Sequence, residues 1–209
     1  PAVREFTDDP LPDETLHRIL DHARFAPSGG NRQGTRVVVV RDPVTRQRLA
    51  ELNEPAVRRY VAQIKAGQSP WNPLEAPAPS PEEIAATEVP EAFTRPVLTA
   101  AAVLVFCVDL GVVAAMDQDL DRIGLVAGAS VYPLVWNVLL AARNEGFGGT
   151  ITTMAVAEEP AVRDLLGIPA QYAVAAVVPL GRPVREITKL RRVEVSDLAA
   201  WERFDGARL

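Results

Sequence analysis

The chain has 209 residues, 48% of them hydrophobic and 23% charged, which is typical of one globular domain and excludes both a disordered chain and a membrane span. Its net charge of -5 argues against a nucleic-acid partner, because nucleic-acid surfaces need a clustered basic excess, and favours a small molecule. The lone cysteine, Cys107, cannot form an internal disulfide, and with only His17 and His22 available no metal site is expected.

The first third of the chain predicts helices around one strand. In residues 12–23 a proline and two acids precede apolar residues at helical spacing, and both histidines lie off that apolar stripe on the solvated face. Residues 35–40 are β-branched and apolar, which predicts a short buried strand. Two separate short helices are predicted over residues 45–52 and 56–66.

Residues 60–96 differ in character from the rest of the chain. Five prolines fall within residues 70–81, together with Trp71, so this span cannot be regular structure throughout. Two interpretations remain open. The span is either a surface excursion or a flap whose Trp71 covers a bound substrate, because long loops are often functional.

The second half predicts a strand, a long helix and a further strand. Residues 97–108 are almost continuously apolar, as in a central strand covered on both faces, which makes Cys107 a core residue. Residues 120–144 carry a helical pattern that Pro133 either kinks or divides, and the glycines of residues 146–149 end it. A short extended segment, a helix and a buried strand are predicted at residues 150–154, 158–166 and 172–180.

The last segment, residues 184–209, combines charges with isolated large apolar groups. Trp201 and Phe204 have too few apolar neighbours to build a core of their own. We therefore expect both aromatics to dock on another surface, such as a partner subunit.

The most informative stretch is Ala26-Pro27-Ser28-Gly29-Gly30-Asn31-Arg32-Gln33, between the first helix and the first strand. The proline ends the helix, the glycine pair lets the main chain approach a bound molecule, and the short polar side chains supply donors and acceptors. Ordinary turn chemistry in a solvent-exposed connection is the alternative.

This stretch resembles the Ala-Pro-Ser-x-x-Asn-x-Gln signature of the flavin-dependent nitroreductase family. The resemblance extends over most of the chain except residues 60–96, through segments 3–6, 16–20, 133–149, 165–169 and 189–191. It implies an α+β fold of three α-β-α layers, with a mixed, mostly antiparallel sheet wrapped by helices and an interlocked homodimer. Residues 1–209 would then form one domain with a variable Pro-rich insert at 60–96 and a C-terminal arm at 184–209.

The resemblance also implies the cofactor and its contacts. FMN would lie at the interface of the homodimer, lined by a loop of one subunit and bound mainly by the other. A cation at the start of the chain would stabilise the reduced ring, a segment after the long helix would pass flavin N5, and basic tail residues would meet the phosphate. The loop residues are Pro27, Ser28, Gly29, Asn31 and Gln33, and the early cation is Arg4. The segment at N5 is Gly149, Thr150, Ile151, Thr152 and Thr153, and the phosphate residues are Lys189 and Arg191.

More ordinary interpretations stand beside these assignments. The segment from Gly149 to Thr153 also matches a helix terminator followed by a strand, and the basic tail also matches a solubilising charge run. Walker, dinucleotide-fingerprint and nucleophile-elbow motifs are absent from the sequence, so no side chain is expected to act as a catalyst and the prosthetic group would carry the chemistry.

The function implied is an FMN-dependent oxidoreductase. It would pass electrons from NAD(P)H to a nitroaromatic, quinone or activated-alkene acceptor in a ping-pong sequence. Ala2 and Gly34-Thr35 depart from the family pattern and motivate a flavin-binding carrier or sensor with little turnover; the divergent insert motivates a specialised dehalogenating or flavin-fragmenting relative. The first residues lack a signal-peptide pattern, which favours the cytoplasm.

Overall fold

The fold is built on one antiparallel sheet with helices on both of its faces. A computed structural model describes residues 2–209 and orders four strands as β1-β2-β4-β3. The strands are β1 (Thr35–Val40), β2 (Ala102–Asp109), β3 (Gly148–Gly149) and β4 (Tyr172–Gly181). Neighbouring strands all pair antiparallel, so the parallel pairing of the expected mixed sheet is not seen within residues 2–209.

Helices lie before, between and after these strands in the chain. They are α1 (Asp13–Ala23), α2 (Pro43–Lys65), α3 (Pro81–Ala85), α4 (Glu91–Thr99), α5 (Tyr132–Asn144), α6 (Glu159–Leu166) and α7 (Val195–Leu198). Short 3₁₀ turns occupy Gly29–Asn31, Val126–Ser130 and Met154–Glu158. The predictions of α1, α6 and β4 are confirmed, and the exposed positions of both histidines are confirmed with them. Strand β1 forms as predicted, but only its Val40 is buried, because β1 is an edge strand of the sheet.

The core lies in two layers because β2 alternates its side chains between the faces of the sheet. Leu104 and Phe106 face α1 and α5, whereas Val103, Val105 and Cys107 face the side that carries α2, α4 and α6. All five are buried, as predicted for a central strand. Burial raises the pKa of the Cys107 thiol to about 11, so this cysteine is an inert core residue, as expected. The three-layer α+β architecture is confirmed.

Helix α2 corrects the prediction of two short helices. Pro55 lies inside it and removes one backbone donor, which normally breaks a helix. Packing overrides that loss, since the buried face continues from Leu49 and Ala50 across the proline to Ala56 and Val57. The helix thereby packs along α4 and the 3₁₀ turn Met154–Glu158.

Two other predicted boundaries are wrong by several residues. Strand β2 begins at Ala102, because the apolar residues from Val97 to Thr99 complete α4 instead. Helix α5 begins at Tyr132, with Pro133 in its first turn, rather than at residue 120. The backbone before it is drawn into a loop by the buried carboxylate of Asp117, which accepts hydrogen bonds from two N–H groups of that loop.

The glycines after α5 do more than end the helix. Gly146 does end it, with a left-handed φ of 80°. Gly148 and Gly149, however, form β3 by pairing with Gly181 and Leu180, so the prediction that Gly148 only terminates the helix is wrong. The extended segment predicted after β3 is confirmed only at Thr152, which bridges to β4.

The Pro-rich insert folds back on the end of α2. The buried Gln63 side chain accepts a hydrogen bond from the Trp71 backbone N–H at 3.1 Å, and the Arg59 guanidinium stacks 3.9 Å from the centroid of the Trp71 ring. In the tail, by contrast, Phe204 is fully exposed and Trp201 is 57% exposed. No helix within residues 2–209 is long and apolar enough to cross a membrane.

Candidate functional site

The predicted ligand loop, residues 27–34, lies at one corner of the sheet, and we call it the loop corner. Its backbone is fixed by hydrogen bonds to side chains. The N–H of Gly29 donates to Ser130 Oγ at 3.1 Å, and the N–H of Gln33 donates to Ser28 Oγ at 3.0 Å. The Arg32 guanidinium adds a bond to the Val112 carbonyl at 3.1 Å. The loop is therefore a defined structure anchored to two later segments of the chain.

The loop corner also holds strained backbone. Gly30, Asn31 and Gln33 have φ values of 59°, 54° and 51°. This left-handed region is free for glycine, tolerable for asparagine and unfavourable for glutamine. Such strain persists only where the surroundings hold it, and it clusters at ligand sites.

Gly34, one of the departures from the family pattern, has a packing reason. A Cβ at this position would overlap a methyl group of Val112. The N–H of Asp109 donates to the Gly34 carbonyl at 3.0 Å, so the turn that follows β2 lies directly against the loop. A glycine at position 34 therefore permits the close contact between this loop and Val112.

An open cleft of about 480 Å³ lies beside the loop corner. Pro27, Ser28 and Gln33 line it, whereas Gly29 and Asn31 lie in the same loop outside its lining. Residues outside the predicted set of FMN contacts complete the wall: Arg24, Ala26, Arg32, Thr35, Arg36, Ser130 and Leu134.

The second predicted set, residues 149–153, lies along the β3 edge of the sheet; together with Gly148 we call it the edge corner. Gly149 permits a close approach, since a Cβ there would overlap the Pro179 carbonyl oxygen of β4. On the outer side, the N–H of Val3 donates to the Gly149 carbonyl at 2.9 Å. The N-terminal segment therefore covers the first part of this edge.

The N–H of Ile151 faces outward from this edge. Thr152 exchanges both ladder hydrogen bonds with Val177, at 2.9 and 2.8 Å. In an antiparallel ladder the flanking residues turn their N–H and C=O groups away from the paired strand, so the N–H of Ile151 faces the open edge. Within residues 2–209 it has no hydrogen-bond acceptor.

Two cavities of about 300 and 180 Å³ adjoin the edge corner and share Ala2 and Val3. Both are rich in arginine. The larger is lined by Gly149, Thr150 and Ile151 with Trp136, Leu139, Leu140, Arg143, Gly148 and Arg192; the smaller is lined by Arg4, Glu5, Arg185 and Ile187. The predicted Thr152, Thr153, Lys189 and Arg191 lie outside both linings, as Trp71 does.

Within one chain the two corners are diagonal to each other. Thr35, which follows the loop corner, is in register with Val108 and through it with Ala173, whereas Gly149 is in register with Leu180 at the other end of β4. That offset is roughly 23 Å along the strand and roughly 14 Å across the sheet. One chain cannot bring both corners to the same ring of a ligand.

Some residues of the site could not be found from local pattern. Ser130 reaches Gly29 across 101 residues. Ser130 follows the loop that Asp117 organises. Hydrogen bonds to the Asp117 carboxyl, first from the Leu125 N–H and then from Arg122, lower its pKa to about 2. A single buried acid in a polar stretch carries no motif, so the sequence offered no signal for it.

A model described as the nitroreductase family matches residues 2–182. The chain belongs to the nitroreductase family. It is also 28% identical over 208 residues to a Thermus thermophilus protein named NADH dehydrogenase, with 96% of this chain and 91% of that one covered.

Solved structures resemble the fold over almost its whole length. The NADPH:FMN oxidoreductase from Vibrio harveyi complexed with NAD⁺ has a TM-score of 0.69 and 22% identity, covering 100% of this chain and 76% of that one. Oxidized iodotyrosine deiodinase bound to FMN and 3-iodo-L-tyrosine has a TM-score of 0.68 and 21% identity, covering 97% and 95%. The family, the fold and the oxidoreductase class predicted from the sequence are confirmed.

Proposed function

We propose that the protein is an FMN-dependent oxidoreductase whose site combines the edge corner of one subunit with the loop corner of another. The diagonal placement of the two corners carries this proposal. Each corner offers half of a flavin site. A symmetric dimer can place the edge corner of each subunit against the loop corner of the other, which makes two complete sites. The FMN and NADPH named for the similar oxidoreductase from Vibrio harveyi, complexed with NAD⁺, support the choice of cofactor and reductant.

The edge corner fits the reactive side of a flavin. The outward N–H of Ile151 can donate to N5, and it lies on a rigid edge because the glycines of β3 let Val3 and the Pro179 carbonyl pack closely. Bound FMN would accept a hydride from NAD(P)H at N5 and pass the electrons to the acceptor. The chain's own contribution is to hold and orient the ring, so no side chain has to act as acid, base or nucleophile.

The arginines beside the edge corner fit the anionic parts of FMN. Arg4 and Arg185 line one cavity, and Arg143 and Arg192 line the adjoining one. Guanidinium forks suit a phosphate, and a cation near N1 and O2 stabilises the reduced ring. We assign the phosphate to these four arginines. Lys189 and Arg191, which lie in the C-terminal tail with Arg185 and Arg192, are further cations.

The loop corner of the partner supplies the opposite wall. Its short side chains and exposed backbone offer polar contacts to a ring that the edge corner alone leaves uncovered. Ser28, Asn31 and Gln33 are the groups we place there, with Pro27 and Gly29 shaping the loop. The hydrogen bond from the Gly29 N–H to Ser130 and the one from the Gln33 N–H to Ser28 hold this wall before the ligand binds.

Exposed apolar side chains support pairing into a homodimer. Tyr132, Trp136 and Leu140 repeat at every fourth position on one face of α5, and each is at least 43% exposed. Trp201 and Phe204 of the tail add a second apolar surface. Surfaces of this kind mark interaction sites, so we propose that α5 and the tail contact the partner subunit.

The first test is an absorbance spectrum of the purified protein saturated with FMN, followed by anaerobic NADH or NADPH and then a quinone. We expect a bound oxidised flavin that bleaches with the nucleotide and recovers with the quinone, by separate half-reactions. Bound flavin that is not reduced would favour the carrier or sensor. Product analysis with halogenated and nitroaromatic acceptors would distinguish a dehalogenating relative, and failure to bind FMN would overturn the proposal.

Arginine variants locate the phosphate within that experiment. Replacing Arg192 by Gln should weaken FMN retention at least about tenfold, because a charge-assisted hydrogen bond contributes about 1.5–3 kcal/mol. Arg48, an exposed arginine of α2 paired with Glu51, provides the control R48Q, which should retain FMN normally. If R191Q weakens retention and R192Q does not, the phosphate belongs to Arg191 instead.

A further inference from the structure

The cleft at the loop corner is lined by three arginines that the FMN assignment does not use. Arg24 comes from the end of α1, Arg32 from the loop and Arg36 from β1. The chain as a whole is acidic, with a net charge of -5. A positive cluster on an acidic protein raises the local concentration of anions and steers them to one place.

The charges around this cleft are only partly neutralised. Arg24 is paired with Asp21 at 2.6 Å. Arg32 and Arg36 donate to backbone carbonyls and have no acidic partner within 4.0 Å in the part of the chain that the structure describes. Asp109, the acid of the neighbouring turn, accepts a hydrogen bond from the Gly111 N–H instead.

Ser28 adds a neutral donor to the same cleft. Its Oγ accepts the hydrogen bond from the Gln33 N–H, which leaves the hydroxyl proton free to donate. A serine hydroxyl beside unpaired guanidinium groups is the donor set that carboxylates and phosphates require. The cleft volume of about 480 Å³ is in the range of small-molecule sites.

We propose that this cleft binds the oxyanion of a molecule that reacts at the flavin, either a carboxylate on the electron acceptor or a phosphate of the reducing dinucleotide. The inference rests on the proposed function, because that function places the loop corner against the flavin bound by the partner subunit. Arg36 and Arg32 would form the charged contacts, with Ser28 as the neutral donor, so the preferred reactants would be anionic.

Direct binding tests the cleft without turnover. Inorganic pyrophosphate is titrated by calorimetry, in metal-free buffer, into the protein saturated with FMN. We expect binding to the unaltered protein, binding about tenfold or more weaker for R36Q, and a smaller loss for R36K, which retains the charge but loses the fork. R24Q and R48Q are matched for exposure and for pairing with an acid three residues away, and only R24Q should weaken binding.

Kinetic ratios identify the source of the anion. A fall in R36Q of the kcat/KM ratio of 4-nitrobenzoate to nitrobenzene assigns the cleft to the acceptor, whereas a fall in the ratio of NADPH to NADH assigns it to the dinucleotide. Pyrophosphate binding that is absent, or equal in R36Q and R48Q, overturns the proposal. The proposal is also overturned if the unaltered protein does not bind pyrophosphate and the R36Q dimer dissociates. That result would assign the arginines to the subunit contact.

The two proposals fail separately. Arg36-dependent binding of pyrophosphate by a protein that NADH and NADPH do not reduce would keep the anion cleft and remove the oxidoreductase site. Flavin reduction at a normal rate, without Arg36-dependent binding, would keep the oxidoreductase and remove the cleft.

Discussion

The loop corner and the edge corner are held in shape by different forces. The edge corner is a continuation of the β3 and β4 register in which Gly149 packs against the Pro179 carbonyl, so its geometry depends on the absence of a side chain. The loop corner is exposed and strained, and its geometry depends on hydrogen bonds such as that from Gly29 to Ser130. Substitutions should therefore damage the edge corner through packing and the loop corner through lost polar contacts.

The largest expected effect distinguishes two glycines. G149A places a Cβ against backbone that cannot yield, and we expect a loss of about 3 kcal/mol in the free energy of unfolding. G34A meets only a methyl group of Val112, which can rotate, and should cost about 1 kcal/mol. Urea unfolding of both variants measures the difference, and equal losses would show that the edge corner is not the more rigid of the two.

We expect the loop corner to depend on pH through Asp117. Hydrogen bonds hold the folded pKa of this carboxyl at about 2, below its ordinary value of 3.8. Because the folded pKa is lowered, the stabilisation is complete above 3.8 and is lost as the pH falls toward 2.

Thermal unfolding measured across that pH range checks the assignment. The unaltered protein should lose more stability on acidification than D117N, whose side chain does not titrate there. Parallel pH profiles for the two proteins would remove Asp117 as the group that organises the loop before Ser130.

Ser130 links that loop to the proposed flavin wall. S130A removes the acceptor of the Gly29 N–H and should lower the free energy of unfolding by about 1 kcal/mol, with weaker FMN retention. The matched control is S69A, at an exposed serine of the insert. Retention of FMN by S130A at the level of S69A would mean that the loop does not need this anchor.

The smallest effect on stability separates strain from binding. Q33G relieves a left-handed φ at a residue other than glycine and should leave the free energy of unfolding unchanged or raise it by about 0.5–1 kcal/mol. The same variant should retain FMN less well, because the amide side chain is lost. A destabilised variant with normal FMN retention would contradict both expectations.

The sequence predicted those parts of the molecule that local pattern determines. Helix α1 has a clear helical period, and strand β1 is a run of β-branched and apolar residues. The close approach at Gly149 is not predicted, because glycines there also suit a helix end. Helix α2 could not be predicted as one piece, because packing against distant residues overrides Pro55. The hydrogen bond from Gly29 to Ser130 could not be predicted, because only the folded chain brings these residues together. Nor could the choice between Arg191 and Arg192 be predicted: Arg192 lines the cavity, because neighbouring residues of an irregular tail face different ways.

The central claim is that one flavin site is built from two chains, and subunit complementation tests it most directly. One variant carries N31A and Q33A in the loop corner, and the other carries R4A and R192A at the edge corner. The two are co-expressed with different affinity tags, and bound FMN is measured in the heterodimer. Each variant alone should bind little FMN, whereas the heterodimer should contain one intact site and one doubly altered site. We predict about half the flavin content of the unaltered dimer in the purified heterodimer, and no recovery above the separate variants would contradict a site shared between subunits.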